Sequence, residues 1–434
     1  MSGAHARLAA AEVLICILQE RRTLDEALGL TRSFTKLQGP DRGFARAMTS
    51  AALRHLGQLE YGLDPFLKRP LNAATPHARA LLLIGAAQLW ILDTPAHAGV
   101  GETVSAAKLC APARKASGFL NAVLRKAASD RQAFDNAPAL SLWPKWLKDA
   151  AISDLGEARA TQLARLQTSE PNLHLSYKSG DLDTIQAAFA AADIETEQLA
   201  SGSLMVPSGA VETFPLYESG QWWVQDTAAA LPAKLLTSGP DKTLVDLCAA
   251  PGGKTMQLAA SGAKVYAVDR SAKRLKRVQE NLDRTKLSEL VTLEAENGET
   301  WRPQTLGEKV DGVLIDAPCS ALGTLRRHPE GAWIKKGEDI ARYPDVQKRL
   351  LMAALDLVRI GGELVYCVCS PFSHEGRDVV EAALQTGRCE RAPVQRDEVP
   401  GFESCLTADG DVLTLPGSDI DHDAFYISRL IKRA

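Results

Sequence analysis

The stretch Thr243–Thr255, which reads TLVDLCAAPGGKT, decides the fold of this chain. Its first five residues, Thr243–Leu247, form a short β-branched and apolar run that predicts a buried strand. The PGG run then predicts a tight loop, and Met256–Ala260 predicts the start of a helix. A strand, a glycine-rich loop and a helix in this order hold a nucleotide-like ligand at the carboxyl edge of a doubly wound sheet. An ordinary tight turn between strand and helix has the same pattern, and the spacing matches neither G-x-G-x-x-G nor a phosphate-binding loop.

Strand and helix patterns alternate regularly after this stretch. The further predicted strands are Lys264–Val268, Leu290–Glu294, Val310–Ile315, Glu363–Cys369 and Ala424–Ile431. The predicted helices between them are Ser271–Arg284, Asp345–Ile360, closed by Gly361 and Gly362, and Glu375–Leu384. This alternation predicts a mostly parallel, doubly wound α/β sheet.

The residues before this unit divide into two further predicted domains. Residues 1–137 show helical apolar spacing, with Thr23 as a helix cap, and no convincing strand interrupts them. Residues 138–235 mix helix and strand patterns and predict a small α+β domain, in which Trp222 and Trp223 are expected to pack in a core rather than stack on bases. The third domain then covers residues 236–434.

Composition and charge limit the class of protein. Apolar residues make up 45% of the 434 residues and charged residues 24%, as in water-soluble globular chains. No signal peptide or membrane span is predicted, so we expect a cytoplasmic protein with reduced cysteines. Residues 1–140 carry 17 Lys and Arg against 11 Asp and Glu, and the remainder carries 33 against 42. A basic N-terminal part suits an anionic macromolecular partner, although a solvated helical surface explains the charge equally well.

Reactive side chains lie at or just after the carboxyl ends of three of the predicted strands. They lie in the runs DLC at 246–248, DAPCS at 316–320 and CVCS at 367–370. Because parallel strands end at one edge of a sheet, two thiols and a carboxylate are expected to converge beside a bound nucleoside. Asp269, which follows the second strand, can accept both ribose hydroxyls of that nucleoside.

The other cysteines are expected to be small buried hydrophobic side chains; these are Cys16, Cys110, Cys389 and Cys405. Cys367, Cys369 and Cys319 with His374 lack the paired spacing of a zinc site, so no metal is expected.

Four segments within residues 4–127 together resemble the NusB family of RNA-binding helical domains. They read ARLAAAEVL, DRGFARAMTSAALRHL, LLLIGAAQLWILDTPAHAGVGETVSAAK and SGFLNAVLRK. The resemblance implies contact with RNA but locates no chemistry. Basic side chains that could then touch phosphate are Arg46, Arg54, Lys115 and Arg125.

Three blocks in the C-terminal part carry a second resemblance. CAAPGGKT, DAPCSALGTLRRHPE and YCVCSPFSHEG are similar to the signature blocks of the RNA cytosine-C5 methyltransferases, specifically the bacterial Sun/Fmu (RsmB-type) ribosomal RNA enzymes. That family combines a NusB-like domain, a small RRM-like domain and a Rossmann-like class I methyltransferase domain that uses S-adenosylmethionine. The resemblance covers nearly the whole chain.

The resemblance implies a role for each site residue. Cys369 matches the nucleophile that adds to C6 of the cytosine, and Cys319 matches the second cysteine, which assists release of methylated RNA. Asp316 would hydrogen-bond the cytosine edge. The residues implied in binding S-adenosylmethionine are Cys248, Ala249, Ala250, Pro251, Gly252, Gly253, Lys254, Asp269, Asn297 and Asp316.

The sequence departs from the family pattern at three positions. Asn297 stands where the family usually has an acidic residue, Val368 replaces a threonine before the nucleophile, and Gly376 replaces an asparagine. None of these changes deletes a reactive group. The resemblance therefore implies an enzyme that methylates C5 of a cytosine in small-subunit (16S) ribosomal RNA. Separately from the resemblance, we expect a monomer that binds neither a metal nor a membrane. The alternatives are a tRNA cytosine-C5 methyltransferase and a catalytically retired ribosome assembly factor that binds RNA.

Overall fold

The computed structural model describes residues 3–303, 309–415 and 421–434. The α-helices are α1 (Gly3–Glu20), α2 (Leu24–Leu30), α3 (Arg32–Thr35), α4 (Gly39–Arg54), α5 (Leu56–Leu63), α6 (Pro76–Trp90), α7 (Ala96–Leu109), α8 (Ser117–Ser129), α9 (Gln132–Asp135), α10 (Lys145–Leu155), α11 (Glu157–Leu166), α12 (Leu182–Ala191), α13 (Thr227–Lys234), α14 (Gly253–Ala260), α15 (Ala272–Thr285), α16 (Gly331–Ile334), α17 (Gly337–Ile340), α18 (Tyr343–Leu357) and α19 (Arg377–Leu384). The strands are β1 (Leu173–Tyr177), β2 (Glu197–Gln198), β3 (Leu204–Val206), β4 (Trp222–Val224), β5 (Thr243–Leu247), β6 (Lys264–Val268), β7 (Val291–Glu294), β8 (Val310–Asp316), β9 (Val358–Val368), β10 (Cys389–Arg391), β11 (Val412–Thr414) and β12 (Phe425–Lys432).

The chain forms two compact units. The first, called the helical unit, comprises Met1–Glu170 together with Leu325–Gly337. The second, called the sheet unit, comprises Pro171–Thr324 and Glu338–Ala434. The predicted division into three domains, over residues 1–137, 138–235 and 236–434, stays a prediction.

The helical unit has a core of alanine and leucine side chains. Helix α1 supplies Ala6, Ala9 and Leu14, which are at most 1% exposed, and α6 supplies an almost continuous buried run. Small side chains on α1 let the neighbouring helices approach closely. The predicted cap at Thr23 is confirmed. Its side chain accepts a hydrogen bond from the Glu26 backbone N–H, and the Thr23 backbone N–H donates to the Glu26 side chain.

Residues Leu325–Gly337, which we call the returning segment, pack into the helical unit. Trp333 and Ile334 lie against its alanine and leucine core. Glu330 is 2% exposed and accepts the Leu24 backbone N–H at 3.2 Å. Arg21 Nε donates to the Ile334 carbonyl at 2.7 Å. This segment comes soon after the DAPCS run in sequence, yet it is part of the helical unit.

A small antiparallel sheet with the strand order β2-β3-β1-β4 opens the sheet unit. Leu175, Phe189 and Trp222 are fully buried in its core, and the rings of Phe189 and Trp222 meet edge to face at 5.9 Å. Trp223 is 2% exposed and packs in the core of the larger sheet. The expectation that both tryptophans are core residues is therefore confirmed.

The larger sheet has the order β10-β12-β9-β8-β5-β6-β7, and β11 pairs with β12. Strands β5 to β9 are parallel, and β10, β11 and β12 pair antiparallel at one side. The order reverses at β5, from which β6 and β7 extend one way and β8 and β9 the other. The carboxyl ends of β5 and β8 therefore flank the place where an open α/β sheet binds ligands.

One predicted helix boundary is wrong. The helix expected over Asp345–Ile360 ends at Leu357, and strand β9 begins at Val358. Gly361 and Gly362 lie inside this strand, where the register with β8 shifts between Val310 and Gly312. The glycines therefore allow an irregularity in the strand rather than a helix end.

Candidate active site

The glycine-rich loop joins β5 to α14 at the carboxyl edge of the sheet. Cys248 at its start has φ 65°, and Gly252, the residue that precedes α14, has φ 103°. A Cβ atom on Gly252 would lie 3.0 Å from Val278 Cγ1, so the glycine also lets α15 pack against the loop. The loop thus depends on glycine for both backbone conformation and close packing.

Asp246 in β5 is a buried carboxyl group beneath this loop. It is fully buried, and its Oδ2 atom accepts from Thr255 Oγ1 at 2.6 Å. Its Oδ1 atom is buried without a hydrogen-bond donor from the described residues. Burial raises the pKa of Asp246 to about 7, because the charged form is desolvated.

Asp269 lies where the sequence predicts it, directly after β6. Its carboxylate accepts the backbone N–H of Ala250 at 3.3 Å and that of Ser271 at 2.9 Å, and Arg274 lies 3.2 Å away. Asp269 therefore connects the glycine-rich loop to the start of α15, and only 3% of its surface is exposed.

Asn297 follows β7 and is exposed. Its side-chain oxygen accepts the Glu299 backbone N–H at 3.1 Å, and so it stabilises a local turn. Asn297 is thus at the carboxyl edge of the sheet, as predicted, with one lone pair of its oxygen already used.

A buried ion pair joins the glycine-rich loop to β8. Lys254 Nζ lies 2.8 Å from Asp316 Oδ2, and the two side chains are 9% and 29% exposed. Cys367 Sγ in β9 lies 3.7 Å from Asp316 Oδ1. Burial lowers the pKa of Lys254, but the Asp316 carboxylate, Cys367 and Asp246 together more than offset this effect, so the net shift is upward and the ammonium stays charged.

Two cysteines meet just beyond the ends of β8 and β9. Cys319 Sγ and Cys369 Sγ are 3.3 Å apart, although 50 residues separate them in sequence. Both side chains are half-buried. The hydrogen bond to Cys369 and burial together raise the pKa of Cys319 well above its usual value, so this thiol keeps its proton at neutral pH. The structure therefore brings the two predicted thiols into contact, and it places the Asp316 carboxylate at the end of β8, 3.7 Å from Cys367 Sγ.

A buried network that sequence reasoning missed lies behind the two cysteines. Glu375 is fully buried and binds the backbone N–H of Ser320 and the hydroxyl group of Ser370. Each of these serines directly follows one of the two cysteines, Cys319 or Cys369. The only sequence signal was the shared Cys-Ser pair in two strand ends.

The departures at Gly376 and Val368 have a structural setting. A Cβ atom on Gly376 would lie 2.6 Å from Cγ of Tyr426, so the tyrosine ring occupies the space that a larger residue would need. Val368 is fully buried in β9, where it pairs with Tyr426 of β12. Among the described residues neither position makes a hydrogen bond to a sulfur atom of the cysteine pair, and Cys369, predicted as the last residue of its strand, directly follows β9.

The predicted phosphate contacts in the helical unit differ in their surroundings. Arg54 Nη1 donates to the carbonyl oxygens of Gln167, Ser169 and Arg326 at 2.7, 2.9 and 2.8 Å. Its expected role as a phosphate contact is therefore corrected to a structural one, because this group already satisfies backbone acceptors. Arg46, Lys115 and Arg125 are exposed and stay predicted RNA contacts.

The remaining cysteines agree with the sequence analysis except at one position. Cys16, Cys110 and Cys389 are buried, whereas Cys405 is only half-buried because its loop lies at the edge of the core. Within residues 3–303, 309–415 and 421–434 no cluster of three or more His, Cys, Asp or Glu side chains has a geometry that could hold a metal ion. The same ranges contain no helix long and apolar enough to cross a membrane.

Two family models match the chain. The model of the 16S rRNA methyltransferase RsmB/F family matches residues 233–431, and the NusB family model matches residues 4–129. Ribosomal RNA small subunit methyltransferase B of Pseudomonas putida KT2440 is 34% identical over 444 residues, which cover 99% of each chain. The chain belongs to the RsmB/F family. The protein of the same name from Xylella fastidiosa Temecula1 is also 34% identical, over 99% of this chain and 98% of its own.

Solved structures support the fold. The crystal structure of PH0851 superimposes with a TM-score of 0.78 at 20% identity and covers 100% of this chain and 99% of its own. The structure of NSun6 from Pyrococcus horikoshii with SFG has a TM-score of 0.57 at 18% identity over 67% of this chain and 98% of its own.

Membership of the RsmB/F family makes this chain an RNA methyltransferase whose cofactor is S-adenosylmethionine. The carboxyl edge of β5 fits such a cofactor. The free Oδ1 acceptor of Asp246 is a group that an amine or hydroxyl of a bound ligand would satisfy, and the loop above it carries no bulky side chain between Cys248 and Lys254.

Proposed function

We propose that this RsmB/F family member transfers a methyl group to C5 of a cytosine in 16S ribosomal RNA through a covalent bond between Cys369 and C6. The observation that carries the proposal is the 3.3 Å separation of the Cys319 and Cys369 sulfur atoms just beyond the ends of β8 and β9, the strands that also hold Asp316 and Cys367. A single thiol at this edge would support the addition step alone. A pair of thiols in contact supports both addition and release.

The pair divides into a nucleophile and a proton donor. Because the raised pKa of Cys319 keeps this thiol protonated, its S–H group can donate to the sulfur of Cys369. In this hydrogen bond the Cys369 sulfur is the acceptor, and a thiolate is the reactive form of a cysteine nucleophile. We therefore assign nucleophilic attack to Cys369 and assistance of release to Cys319.

The proposed reaction begins when the Cys369 thiolate forms a bond to C6 of the cytosine. The electron pair of the C5–C6 double bond moves to C5, which becomes a carbon nucleophile and takes the methyl group. The C5 proton then passes to a base, its electron pair restores the C5–C6 double bond, and the electron pair of the C6–S bond returns to Cys369 as the thiolate. Cysteine is needed because C5 of a cytosine that carries no C6 adduct is too weak a nucleophile.

Asp316 and Lys254 are assigned to binding and electrostatics. Lys254 contacts Oδ2 of Asp316, and Cys367 lies 3.7 Å from Oδ1. The second lone pair of Oδ1 can accept a hydrogen bond from the exocyclic amino group of cytosine. Lys254 holds Asp316 in place through the 2.8 Å contact and compensates its charge. Positioning of the base next to the thiols accounts for much of the rate in such sites.

Residues of the glycine-rich loop and the ends of β6 and β7 are assigned to the cofactor. Bound S-adenosylmethionine supplies an electrophilic methyl group on a sulfonium sulfur. Cys248 to Lys254 would contact it through the backbone, Asp269 through the carboxylate lone pairs that face away from α15, and Asn297 through its amide. Asp316 would contact both the cofactor and the base.

The substrate class rests on the family and on the names of its members. The relatives from Pseudomonas putida and Xylella fastidiosa are named as ribosomal RNA small subunit methyltransferases B. A cytosine within a duplex cannot present C6 to a thiol, so we expect an unpaired or unstacked target. The exposed cations Arg46, Lys115 and Arg125 are proposed contacts to the RNA backbone.

Covalent trapping tests the proposal. RNA transcribed with 5-fluorocytidine carries fluorine at C5, which blocks release after methyl transfer and leaves the RNA bound to the enzyme. Wild type, Cys369→Ala and Cys319→Ala are compared on a denaturing gel with and without S-adenosylmethionine, and the trapped RNA is sequenced to locate the site. We expect a cofactor-dependent shifted band with 16S RNA that is lost in Cys369→Ala and kept in Cys319→Ala.

Other outcomes change the assignment in defined ways. Loss of the band in Cys319→Ala alone would mean that the two cysteines exchange roles. A band only with tRNA would favour a tRNA enzyme. Binding of 16S RNA without a band in any of the proteins would favour a retired assembly factor.

A further inference from the structure

Glu375 is a buried carboxylate whose partners are all uncharged hydrogen-bond donors among the described residues. Oε1 accepts the Ser320 backbone N–H at 2.7 Å and Gln347 Nε2 at 3.3 Å. Oε2 accepts the hydroxyl groups of Ser370, at 2.6 Å, and Ser320. These donors match the four lone-pair positions of a carboxylate, so the group is saturated by hydrogen bonds alone.

Three of these four donors, the N–H and hydroxyl of Ser320 and the hydroxyl of Ser370, come from the two turns that carry the cysteines. The N–H group of Ser320 belongs to the peptide that joins Cys319 to Ser320, so its bond to Glu375 fixes the orientation of that peptide. Ser370 occupies the equivalent position after Cys369. Ser320 Oγ and Ser370 Oγ are also only 3.2 Å apart, which places the two turns side by side over the carboxylate.

Helix α18 connects this carboxylate to a rigid element. Gln347 of α18 is fully buried, and its Nε2 atom donates both to Glu375 and to the carbonyl of Pro318, at 3.0 Å. A hydrogen bond from Gly323 N–H to the Cys369 carbonyl, at 3.0 Å, also joins the turns independently of Glu375. Removal of the carboxylate should therefore loosen the two turns without separating them.

We propose that Glu375 is a positioning residue that sets the distance and orientation between the Cys319 and Cys369 sulfur atoms. This inference rests on the proposed two-cysteine reaction, in which both thiols must act on the same adduct. Misplacement of a reacting group by 1 Å costs about 100-fold in rate. Within the part of the chain that the structure describes, Glu375 makes no hydrogen bond to either sulfur atom, so it acts through the turns and not on the substrate.

Two variants test the charge of the Glu375 side chain and its length separately. Glu375→Gln keeps the length of the side chain but has one acceptor oxygen, so at least one turn loses its bond. Glu375→Asp keeps the charge but is shorter by one methylene group and cannot hold both turns. The matched control is Glu363→Gln, in the middle of β9, where the carboxylate accepts the Thr237 backbone N–H at 2.8 Å. Ser320→Ala with Ser370→Ala removes the same hydroxyl bonds while it leaves Glu375 in place.

Oxidation of the cysteine pair by diamide measures their relative position without any methyl transfer. Diamide takes two electrons and two protons from the two thiols, a bond forms between the sulfur atoms, and the azo group becomes a hydrazine. The rate of the Cys319–Cys369 disulfide, mapped by mass spectrometry, should be high in wild type and in Glu363→Gln. It should fall about tenfold or more in Glu375→Gln, in Glu375→Asp and in the double serine variant, because correct alignment of two groups supplies most of the rate of such reactions.

Steady-state kinetics on the full chain with 16S RNA completes the test. We expect Glu375→Gln to lower kcat about 100-fold with KM for S-adenosylmethionine and RNA within about twofold of wild type. A lower kcat with an unchanged disulfide rate would overturn the inference and assign Glu375 to proton transfer. An unchanged disulfide rate and an unchanged kcat would also overturn it. Failure of 5-fluorocytidine trapping together with a slower disulfide in the variants would reject the proposed reaction and leave the positioning role standing.

Discussion

The Lys254–Asp316 ion pair allows a quantitative prediction. At 2.8 Å the Coulomb attraction is about 6 kcal/mol for an effective dielectric constant of about 20. Most of this attraction repays the cost of desolvation, whereas removal of one partner of a buried pair costs about 3–5 kcal/mol. We expect Lys254→Met to lower the free energy of unfolding of the sheet unit by about 3 kcal/mol, at the low end because Asp316 keeps 29% of its side chain exposed.

Asp316→Asn should lower the free energy of unfolding more, by about 4 kcal/mol. This change leaves the Lys254 ammonium, whose side chain is only 9% exposed, without its counter-charge. The double variant removes both charges, and its loss should be smaller than the sum of the single losses by about 2 kcal/mol.

A double-mutant cycle measures this coupling energy. Urea titrations are followed by labelling of the buried thiol of Cys389, which lies in β10 and is 5% exposed. Lys242→Met, at a cation just before β5 that makes no ion pair within the described residues, serves as the control and should have an effect within about 0.5 kcal/mol. Losses that add to within about 0.5 kcal/mol in the double variant would refute the reasoning, because independent sites behave in that way.

Three further predictions concern acidity, backbone conformation and a structural arginine. Because burial raises the pKa of Asp246 from 3.8 to about 7, its protonated form favours the folded state at low pH, and this advantage is lost as pH rises through 7. Thermal melts should therefore show the stability of wild type relative to Asp246→Asn falling between pH 4 and pH 7, by at most about 4 kcal/mol. Gly252→Ala should lower stability by about 1–2 kcal/mol and weaken S-adenosylmethionine binding in calorimetry, since φ is 103° there. Gly361→Ala, at φ 73° with open space around it, should share the strain but leave binding unchanged. Arg54→Met should destabilise the helical unit by about 2–3 kcal/mol because backbone carbonyls lose a charged donor. Arg46→Met, at a side chain 62% exposed, should stay within about 0.5 kcal/mol in the same urea titration.

The elements with strong periodicity could be predicted from sequence alone. Thr243–Leu247 and Lys264–Val268 are strands with the predicted bounds. Short β-branched and apolar runs between turn residues are typical of buried strands. The contact between Cys319 and Cys369, and the position of Asp316 beside Cys367, also followed from the rule that parallel strands end at one edge. These predictions need only local pattern and sheet topology.

Contacts between distant side chains could not be predicted in this way. The bond between Glu375 and the Ser320 backbone spans 55 residues, and no local period indicates it. Arg54 looks like any exposed cation in sequence, and its role depends on backbone carbonyls more than 100 residues away. The end of α18 at Leu357 was missed because a glycine pair signals a helix end and a strand irregularity equally well.

The returning segment has a consequence for how such proteins can evolve or be engineered. Leu325–Gly337 leaves the sheet unit after Thr324 and rejoins it at Glu338, and in between it places Trp333 and Ile334 on the core of the helical unit. A recombination event at one junction near Glu170 would exchange the N-terminal helices but keep these thirteen residues of the original parent. The new helices would have to accept a foreign tryptophan, and deletion of the helices would leave it exposed to water. The two parts of the chain are therefore expected to be inherited together, and functional chimeras should exchange Leu325–Gly337 along with the N-terminal helices.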